Sequence, residues 1–148
     1  RPPCPPDLKP QLEMMGELCE ALSMMPILKD GFEADDIIGT YATKGHEKGF
    51  DVFILSGDKD FMQLIKPGIE MISVSKTGDI DSVREEEVFN KMGVRPDQII
   101  DFLSLMGDSA DNIPGAPGVG KVTAAKLLAE HDNIDTLLAA VPDMKKSK

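Results

Sequence analysis

Apolar and polar residues alternate along this chain with two different periods, and each period predicts a type of element. Apolar residues recur every three or four positions between residues 8 and 22, which predicts an amphipathic helix with Asp7 as its N-cap. Residues 51–56 are a short apolar run between turn residues, which is typical of a buried strand. Residues 69–75 alternate as a second strand, and the short apolar stretch 26–28 is a third candidate.

Helical patterns separate these strands. They cover residues 34–48, 59–65, 82–92 and 95–106. Because strands alternate with helices, the chain is expected to be α/β, with a mostly parallel sheet flanked by helices. After Asn112 the pattern is helical around a turn rich in Gly and Pro. We therefore expect an α/β core in residues 1–111 and a small helical subdomain in residues 112–148.

Composition narrows the class of protein. With 41% hydrophobic and 28% charged residues among 148, the chain is typical of a folded soluble domain, and no apolar run approaches the ~20 residues of a membrane span. Two cysteines, Cys4 and Cys19, make neither a disulfide framework nor a zinc site, which favours a reducing cytoplasm. The net charge of −10 argues against nucleic-acid binding by bulk attraction.

Three short acidic motifs stand out against this background, each at a loop or a predicted helix start. Two of them directly follow predicted strands, whose carboxyl ends form the usual ligand-binding edge of an α/β sheet. We therefore expect the carboxylates of these two motifs, those of Glu33, Asp35 and Asp36 and those of Asp58 and Asp60, to converge in one crevice. The motifs are Glu33-Ala34-Asp35-Asp36, Asp58-Lys59-Asp60 and Asp108-Ser109-Ala110-Asp111.

Each motif alone also fits an ordinary helix start, where acids cap the first turn. Seven converging carboxylates, however, would repel one another unless a cation lay among them. Ligands that are all oxygen suit Mg²⁺ or Mn²⁺, whereas His46 and His131 lie elsewhere in the sequence, which disfavours zinc. A pair of such ions clamps the attacking and leaving oxygens of a phosphodiester, so the motifs indicate phosphodiester chemistry.

The glycine-rich turn, residues 115–121, allows two interpretations. It matches most of a P-loop, but Val122 replaces the expected hydroxyl residue and the preceding segment is polar where a buried strand is required. The second interpretation is a helix–hairpin–helix, in which amides at the new helix N-terminus hold a phosphate of the nucleic-acid backbone. Val122, Ala125 and Leu128 are then expected to pack on the partner helix. An ordinary helical turn with a Gly cap remains the third possibility.

Together these motifs closely resemble one family. The stretches that carry the resemblance are residues 33–40, 56–60, 106–115 and 117–120. In order and approximate spacing they are similar to the 5′–3′ exonuclease domain of bacterial DNA polymerase I, in the flap endonuclease group. The resemblance covers nearly the whole chain and implies a PIN-like 5′ nuclease core followed by a helix–hairpin–helix-type subdomain.

The resemblance implies a role for each motif. Two divalent ions, Mg²⁺ or Mn²⁺, would be held by the seven acids, with Asp35, Asp58 and Asp60 as the catalytic ones. The hairpin would bind the duplex backbone and often K⁺. The implied metal ligands are Glu33, Asp35, Asp36, Asp58, Asp60, Asp108 and Asp111. The implied DNA-binding residues are Gly118, Val119, Gly120, Lys121 and Thr123.

The resemblance also implies the substrate and the setting. These are 5′ ends and 5′ flaps of branched DNA, cut during replication and repair in the bacterial cytoplasm, with a polymerase domain beyond the chain. The family's first strand, two further acids and a basic helical arch precede the segment that residues 1–6 resemble, so the chain is expected to be a nuclease fragment with low or no activity alone.

The implied metal ligands account for most of the excess of acidic residues. Setting the seven proposed ligands aside leaves 19 acids against 16 bases, a net charge of −3. Most of the charge that opposed nucleic-acid binding thus belongs to one proposed cation site. If the acids are not functional, the alternative is a non-catalytic module that binds DNA through the hairpin.

Overall fold

The computed structural model describes residues 3–75 and 77–144 of the chain. The first two residues of the predicted 1–111 core and the last four of the predicted 112–148 subdomain lie outside the described residues, and the boundary between these domains stays a prediction. The chain forms two compact units that divide between Ile37 and Ile38. No helix in the described part is long and apolar enough to span a bilayer.

The helices and strands follow the predicted order with three exceptions: the first helix is broken, residues 26–28 form no strand, and a strand that was not predicted lies before α4. The helices are α1 (Lys9–Glu13), α2 (Met15–Ala21), α3 (Ala34–Glu47), α4 (Glu85–Met92), α5 (Ile99–Met106), α6 (Lys121–His131) and α7 (Ile134–Ala140). The strands are β1 (Val52–Leu55), β2 (Ile69–Val74) and β3 (Ile80–Val83). Three short 3₁₀ helices span Lys59–Leu64, Pro96–Gln98 and Val141–Asp143.

The first unit departs most from the sequence prediction. The single helix predicted after Asp7 is two helices, because the Met14 N–H bonds only three residues back, to the Gln11 carbonyl at 3.2 Å, which tightens the turn. Leu8, not Asp7, occupies the cap position. The strand predicted at residues 26–28 is wrong: this stretch has no strand partner among the described residues, and the Leu28 side chain is 91% exposed. An apolar run without a neighbouring strand has no ladder to join.

The second unit is built on a mixed three-stranded sheet in the order β1-β2-β3. Strands β1 and β2 are parallel, with Ile54 opposite Met71, whereas β2 and β3 are antiparallel, with Met71 opposite Val83. The helix predicted from residue 82 therefore begins only at Glu85, because residues 80–83 pair with β2 across the turn at Gly78, whose φ is +89°. The α/β class is confirmed, and the antiparallel edge was not predicted.

The core of this unit lies between the inner face of the sheet and the helices that follow it. Alternate residues of the strands, among them Ile69 and Met71, point into it and are almost fully buried. Phe102 of α5 and Leu128 of α6 are buried in the same cluster. Within this unit the 3₁₀ helix that follows β1 contacts α5, and these two elements lead into the candidate site.

Candidate metal centre and nucleic-acid interface

Three of the predicted acids come together in the second unit, although they lie on two distant segments. Asp60 lies in the first turn of the 3₁₀ helix that follows β1, and Asp108 and Asp111 lie in the turn after α5. One carboxylate oxygen from each lies within 4.8 Å of the other two. Ligands of one octahedral Mg²⁺ are roughly 3 Å apart when adjacent and roughly 4.2 Å apart when opposite, so modest side-chain shifts would bring the three oxygens around one ion.

Local hydrogen bonds orient the carboxylates of Asp108 and of Asp58, the neighbour of Asp60. Asp58 caps the 3₁₀ helix by accepting a hydrogen bond from the Asp60 N–H at 3.0 Å, and its own N–H donates to Ser56 Oγ at 3.0 Å. Asp108 Oδ1 accepts from the Ala110 N–H at 3.0 Å. Asp108 is only 7% exposed, so an acid that would ordinarily lie in water is held inside the fold.

Lys59, to which the sequence assigned no role, contacts two acids of the cluster. Its ammonium donates a hydrogen bond to Asp108 Oδ2 and forms an ion pair with it, and it lies 3.6 Å from Asp60 Oδ1. Asp60 Oδ1 is buried and has no hydrogen-bond partner within the described residues. A buried carboxylate oxygen that accepts no hydrogen bond and lies beside two other acids, whose ligand atoms are all oxygens, fits a hard divalent cation.

The electrostatics of the cluster agree with its geometry. Burial raises the pKa of Asp60, Lys59 opposes this, and the negative charges of Asp58, Asp108 and Asp111 raise it further. The hydrogen bond from Lys59, followed by that from the Ala110 N–H, lowers the pKa of Asp108. The hydrogen bond to Asp108 raises the pKa of Lys59 although burial opposes it. The site therefore has one carboxylate that is costly to ionise and one that is held ionised.

The other predicted ligands have different surroundings. Asp58 is exposed and lies near enough to Asp60 to raise its pKa, but it is not in the three-acid cluster. Glu33, Asp35 and Asp36 belong to the first unit, at the start of α3. There Asp36 Oδ2 accepts from the Glu33 N–H at 3.3 Å, the bond expected of a helix-capping acid. Their convergence with Asp60 stays a prediction.

The turn of residues 107–120, between α5 and α6, is held by two contacts between its ends. Asp108 and Ile113 exchange backbone hydrogen bonds of 2.9 and 2.8 Å. Gly107 and Gly115 lie where the chain crosses itself: a Cβ on Gly115 would stand 2.5 Å from the Gly107 nitrogen and 2.6 Å from the Met106 carbonyl carbon. A P-loop is disfavoured, because a turn stands where that motif requires a buried strand.

The glycines of the hairpin proper have open space beside them. Gly118 has a φ of +78°, and a Cβ on Gly118 or Gly120 would meet nothing within 4 Å. Gly120 is the N-cap residue of α6, and Thr123 lies exposed in the first turn of the helix. Val119 packs partly against the core. A backbone or phosphate can therefore approach this helix start closely.

Two side chains of α6 depart from the sequence expectation. Val122 is 68% exposed, because Ala124 and Leu128, four residues apart, form the buried stripe instead. Lys121 is exposed, as expected, but its ammonium donates to the Lys91 carbonyl at 2.5 Å. That carbonyl lies near the end of α4, where a cation is favoured. The bond ties the hairpin to the α/β part of the unit.

Comparison with known proteins covers nearly the whole chain. Residues 1–93 match the family pattern of the 5′–3′ exonuclease N-terminal resolvase-like domain, and residues 94–148 match that of the 5′–3′ exonuclease C-terminal SAM fold. Among curated relatives, DNA polymerase I of Bacillus caldotenax is 40% identical over 97% of the chain and that of Rhizobium leguminosarum 43% over 97%. The chain spans only 16% and 14% of their lengths.

Solved structures share the fold. A mutant of T5 5′-exonuclease superposes with a TM-score of 0.77 at 25% identity, covering 93% of this chain and 55% of that one. The bacteriophage T5 flap endonuclease solved with DNA and metal ions gives 0.77 at 24% identity, covering 92% and 49%. The catalytic core of Rad2 with a DNA substrate gives 0.61 at 18% identity, covering 91% and 42%.

Proposed function

The chain belongs to the 5′–3′ exonuclease family, and we propose that it carries the metal-binding and DNA-gripping parts of a nuclease that hydrolyses DNA phosphodiesters at 5′ ends and 5′ flaps. The observation that carries this proposal is the convergence of Asp60, Asp108 and Asp111 from two distant segments. Because the chain spans only about a sixth of its curated relatives, the activity of a whole protein is part of the proposal.

The three-acid cluster is the proposed metal site. Asp60 and Asp108 would hold Mg²⁺ or Mn²⁺ directly, with Asp111 on the solvent side. The bound ion would stabilise the charge that develops on the phosphate oxygens during hydrolysis. The Ala110 N–H donates to Asp108 Oδ1 and so holds the orientation of Oδ2, the oxygen that would face the ion. We propose Mg²⁺ as the physiological ion, because all the donors are carboxylate oxygens.

The remaining acids extend this proposal. Asp58 lies beside Asp60 and would contribute to a second ion, and Asp35, Asp58 and Asp60 remain the proposed catalytic set. Glu33, Asp35 and Asp36 would join from the start of α3. Two ions are proposed because in-line displacement at phosphorus profits from one cation on each of the attacking and leaving oxygens.

The hairpin is the proposed DNA grip. The open space beside Gly118 and Gly120 lets a phosphate reach the first amides of α6, where the helix dipole favours an anion. Lys121 and Thr123 would add a charge and a hydroxyl, and Val119 would hold the turn against the core. Contacts of this kind position a duplex without reading its sequence. Carbonyls of the same turn would hold K⁺, as the resemblance suggests.

The test of the metal site is calorimetric titration of the metal-free chain with MnCl₂. Wild-type protein should bind Mn²⁺, and Asp108→Asn should lose that binding because it removes the charge of the most buried ligand. Asp81→Asn, which neutralises an exposed acid of β3, is the matched control and should bind like wild type. Asp58→Ala tests whether the neighbouring acid belongs to the site. Retention of full affinity in Asp108→Asn contradicts the proposed site.

The DNA grip needs a separate test, since a non-catalytic DNA-binding module is the main alternative. Lys121→Ala should weaken binding to a 5′-flap duplex and leave Mn²⁺ affinity nearly unchanged. DNA binding without any Mn²⁺ binding would favour the non-catalytic module. ATP binding that is lost in Lys121→Ala would instead revive the P-loop interpretation.

The setting of the reaction is also proposed from the relatives. They are bacterial DNA polymerases I, so we propose a role in DNA replication and repair in the bacterial cytoplasm, beside a polymerase domain. The chain alone should cleave 5′-flap DNA with Mg²⁺ slowly or not at all. Turnover comparable to that of a complete 5′ nuclease would contradict this last expectation.

A further inference from the structure

Lys59 places a positive charge inside the three-acid cluster. Its ammonium is hydrogen-bonded to Asp108 Oδ2, and it lies 3.6 Å from the orphaned Oδ1 of Asp60. It reaches this position from the 3₁₀ helix that also carries Asp60, whereas Asp108 lies on the other segment of the site. The ammonium therefore links the two halves of the cluster.

The two oxygens of Asp108 have different kinds of partner. Oδ1 accepts from the Ala110 N–H at 3.0 Å, a backbone bond fixed by the turn. Oδ2 accepts from Lys59, a side chain on a flexible stem that is one third exposed. The carboxylate can thus keep its orientation through Oδ1 while the partner of Oδ2 changes. The backbone bond at Oδ1 therefore holds the carboxylate in place, and the ion pair at Oδ2 neutralises its charge.

We propose that Lys59 is the resident counter-ion of this metal site: it holds Asp108 and Asp60 together in the metal-free protein, and a divalent ion must displace it from Asp108 Oδ2 in order to bind. The inference rests on the proposed function, because it takes the three acids as the metal site. Lys59 is then a positioning residue that sets how much metal the site requires.

Displacement follows from the space and charge at Oδ2. A divalent ion on that oxygen would lie roughly 2.1 Å from it, on the side where the ammonium now lies within hydrogen-bonding distance. Two cations that share one oxygen repel each other strongly. The lysine stem can swing toward water because it is partly exposed. Binding of metal therefore costs the breaking of the Lys59–Asp108 ion pair.

If Lys59 instead preorganised the acids, its removal would change the metal affinity in the opposite direction. If the lysine preorganised the acids so that metal binds better, removing it would weaken metal binding. If it were a displaced counter-ion, removing it would strengthen metal binding and destabilise the metal-free fold. Metal affinity and metal-free stability together therefore separate the two roles, and neither measurement depends on catalysis.

The experiment compares Lys59→Met, which keeps the length and apolar stem without the charge, with Lys59→Arg, which keeps the charge. Lys66→Met, at an exposed lysine just after the same 3₁₀ helix, controls for the loss of one positive charge. Each variant of the full chain is titrated with MnCl₂ by calorimetry and melted in EDTA and in excess Mn²⁺. Lys59→Gln, a shorter and polar replacement, serves if the Met variant does not fold.

Lys59→Met should bind Mn²⁺ roughly tenfold more tightly than wild type, because binding no longer has to break one partly exposed, charge-assisted ion pair. Its melting temperature in EDTA should be lower than that of wild type, and its gain on adding Mn²⁺ larger. Lys59→Arg and Lys66→Met should bind within twofold of wild type.

Equal or weaker Mn²⁺ binding by Lys59→Met, with wild type binding normally, overturns the counter-ion role and leaves the proposed metal site standing. Absence of Mn²⁺ binding in wild type and in every variant overturns the proposed function and this inference together. An increase of the same size in Lys66→Met would show a general charge effect and would also overturn the inference.

Discussion

The chain crossing at Gly107 and Gly115 gives the sharpest test of how the fold builds the acidic turn. Gly115 has a φ of +69°, and a Cβ there would stand 2.5–2.7 Å from three backbone atoms of Met106 and Gly107. None of these atoms is the end of a flexible side chain, so the backbone itself must move. Gly115→Ala therefore combines a left-handed backbone with an overpacked contact.

The expected cost can be worked from these two terms. A left-handed backbone costs a non-glycine residue about 1–2 kcal/mol, and overpacking of this kind costs about 1–3 kcal/mol. The lower entropy of the unfolded alanine chain returns about 0.4–1 kcal/mol. Gly115→Ala should therefore lower the free energy of unfolding by about 2–4 kcal/mol on these terms.

Two other glycines of the same turn supply matched controls. Gly118 has a φ of +78° with open space around it, so Gly118→Ala should cost only the backbone term, about 0.5–1 kcal/mol net. Gly120 has a φ of −100° and open space, so Gly120→Ala should lie within about 0.5 kcal/mol of wild type. The series therefore compares a position with both backbone strain and crowding (Gly115), one with strain alone (Gly118) and one with neither (Gly120).

The assay is urea unfolding followed by circular dichroism, with Mn²⁺ titration of each folded variant. Gly115→Ala should also weaken Mn²⁺ binding, because the displaced backbone at Gly107 is bonded directly to Asp108. If Gly115→Ala were no less stable than Gly118→Ala, the close crossing could not be what fixes the acidic turn, and the reasoning would fail.

The remaining predictions concern the packing of α6 and the charge of the site. Gln98, 5% exposed, donates to the Leu128 carbonyl at 3.1 Å and the Asp132 carbonyl at 2.7 Å, so Gln98→Ala should cost about 1–3 kcal/mol in urea unfolding by removing two hydrogen bonds of a buried side chain. Leu128→Ala, at a residue 1% exposed, should cost about 2–5 kcal/mol, and Val122→Ala, at an exposed one, less than about 0.5 kcal/mol. Asp60→Asn should stabilise the metal-free protein at pH 7, because the raised pKa of Asp60 means that ionisation disfavours folding. That gain should fade as the pH falls toward the ordinary carboxyl pKa of 3.8, and unfolding curves in EDTA from pH 7 to pH 4 measure it.

Strong local patterns predicted most elements of the fold. The strand in residues 51–56 and the helix predicted at residues 34–48 followed from local features, an apolar run between turn residues and a glycine, Gly49, directly after the helix. Strand β3 was missed because the three glutamates after it are favourable in a helix start, and the pattern does not say where that helix begins. The strand prediction at residues 26–28 was wrong, because a strand needs a neighbouring strand to pair with, and a local pattern does not show whether one is present.

The candidate site also has features that the sequence predicted and features that it did not. The sheet argument predicted only that the two motifs after strands converge, and the meeting of Asp60 with Asp108, which follows a helix, was implied by the resemblance. The contacts of Lys59 were not predicted. A lysine between two aspartates is usually a solvated charge, and its partner Asp108 lies 49 residues away in the sequence. The close approach of Gly107 and Gly115 was likewise hidden, since the sequence records neither φ nor the crossing of two backbones.

The most direct test of the central claim is anomalous diffraction from crystals of the chain grown with Mn²⁺. An anomalous peak bound by carboxylate oxygens of Asp60 and Asp108, with the Lys59 ammonium moved away from Asp108, is the predicted result. Mn²⁺ bound at other acids of the chain, with Lys59 still paired to Asp108, would contradict the account.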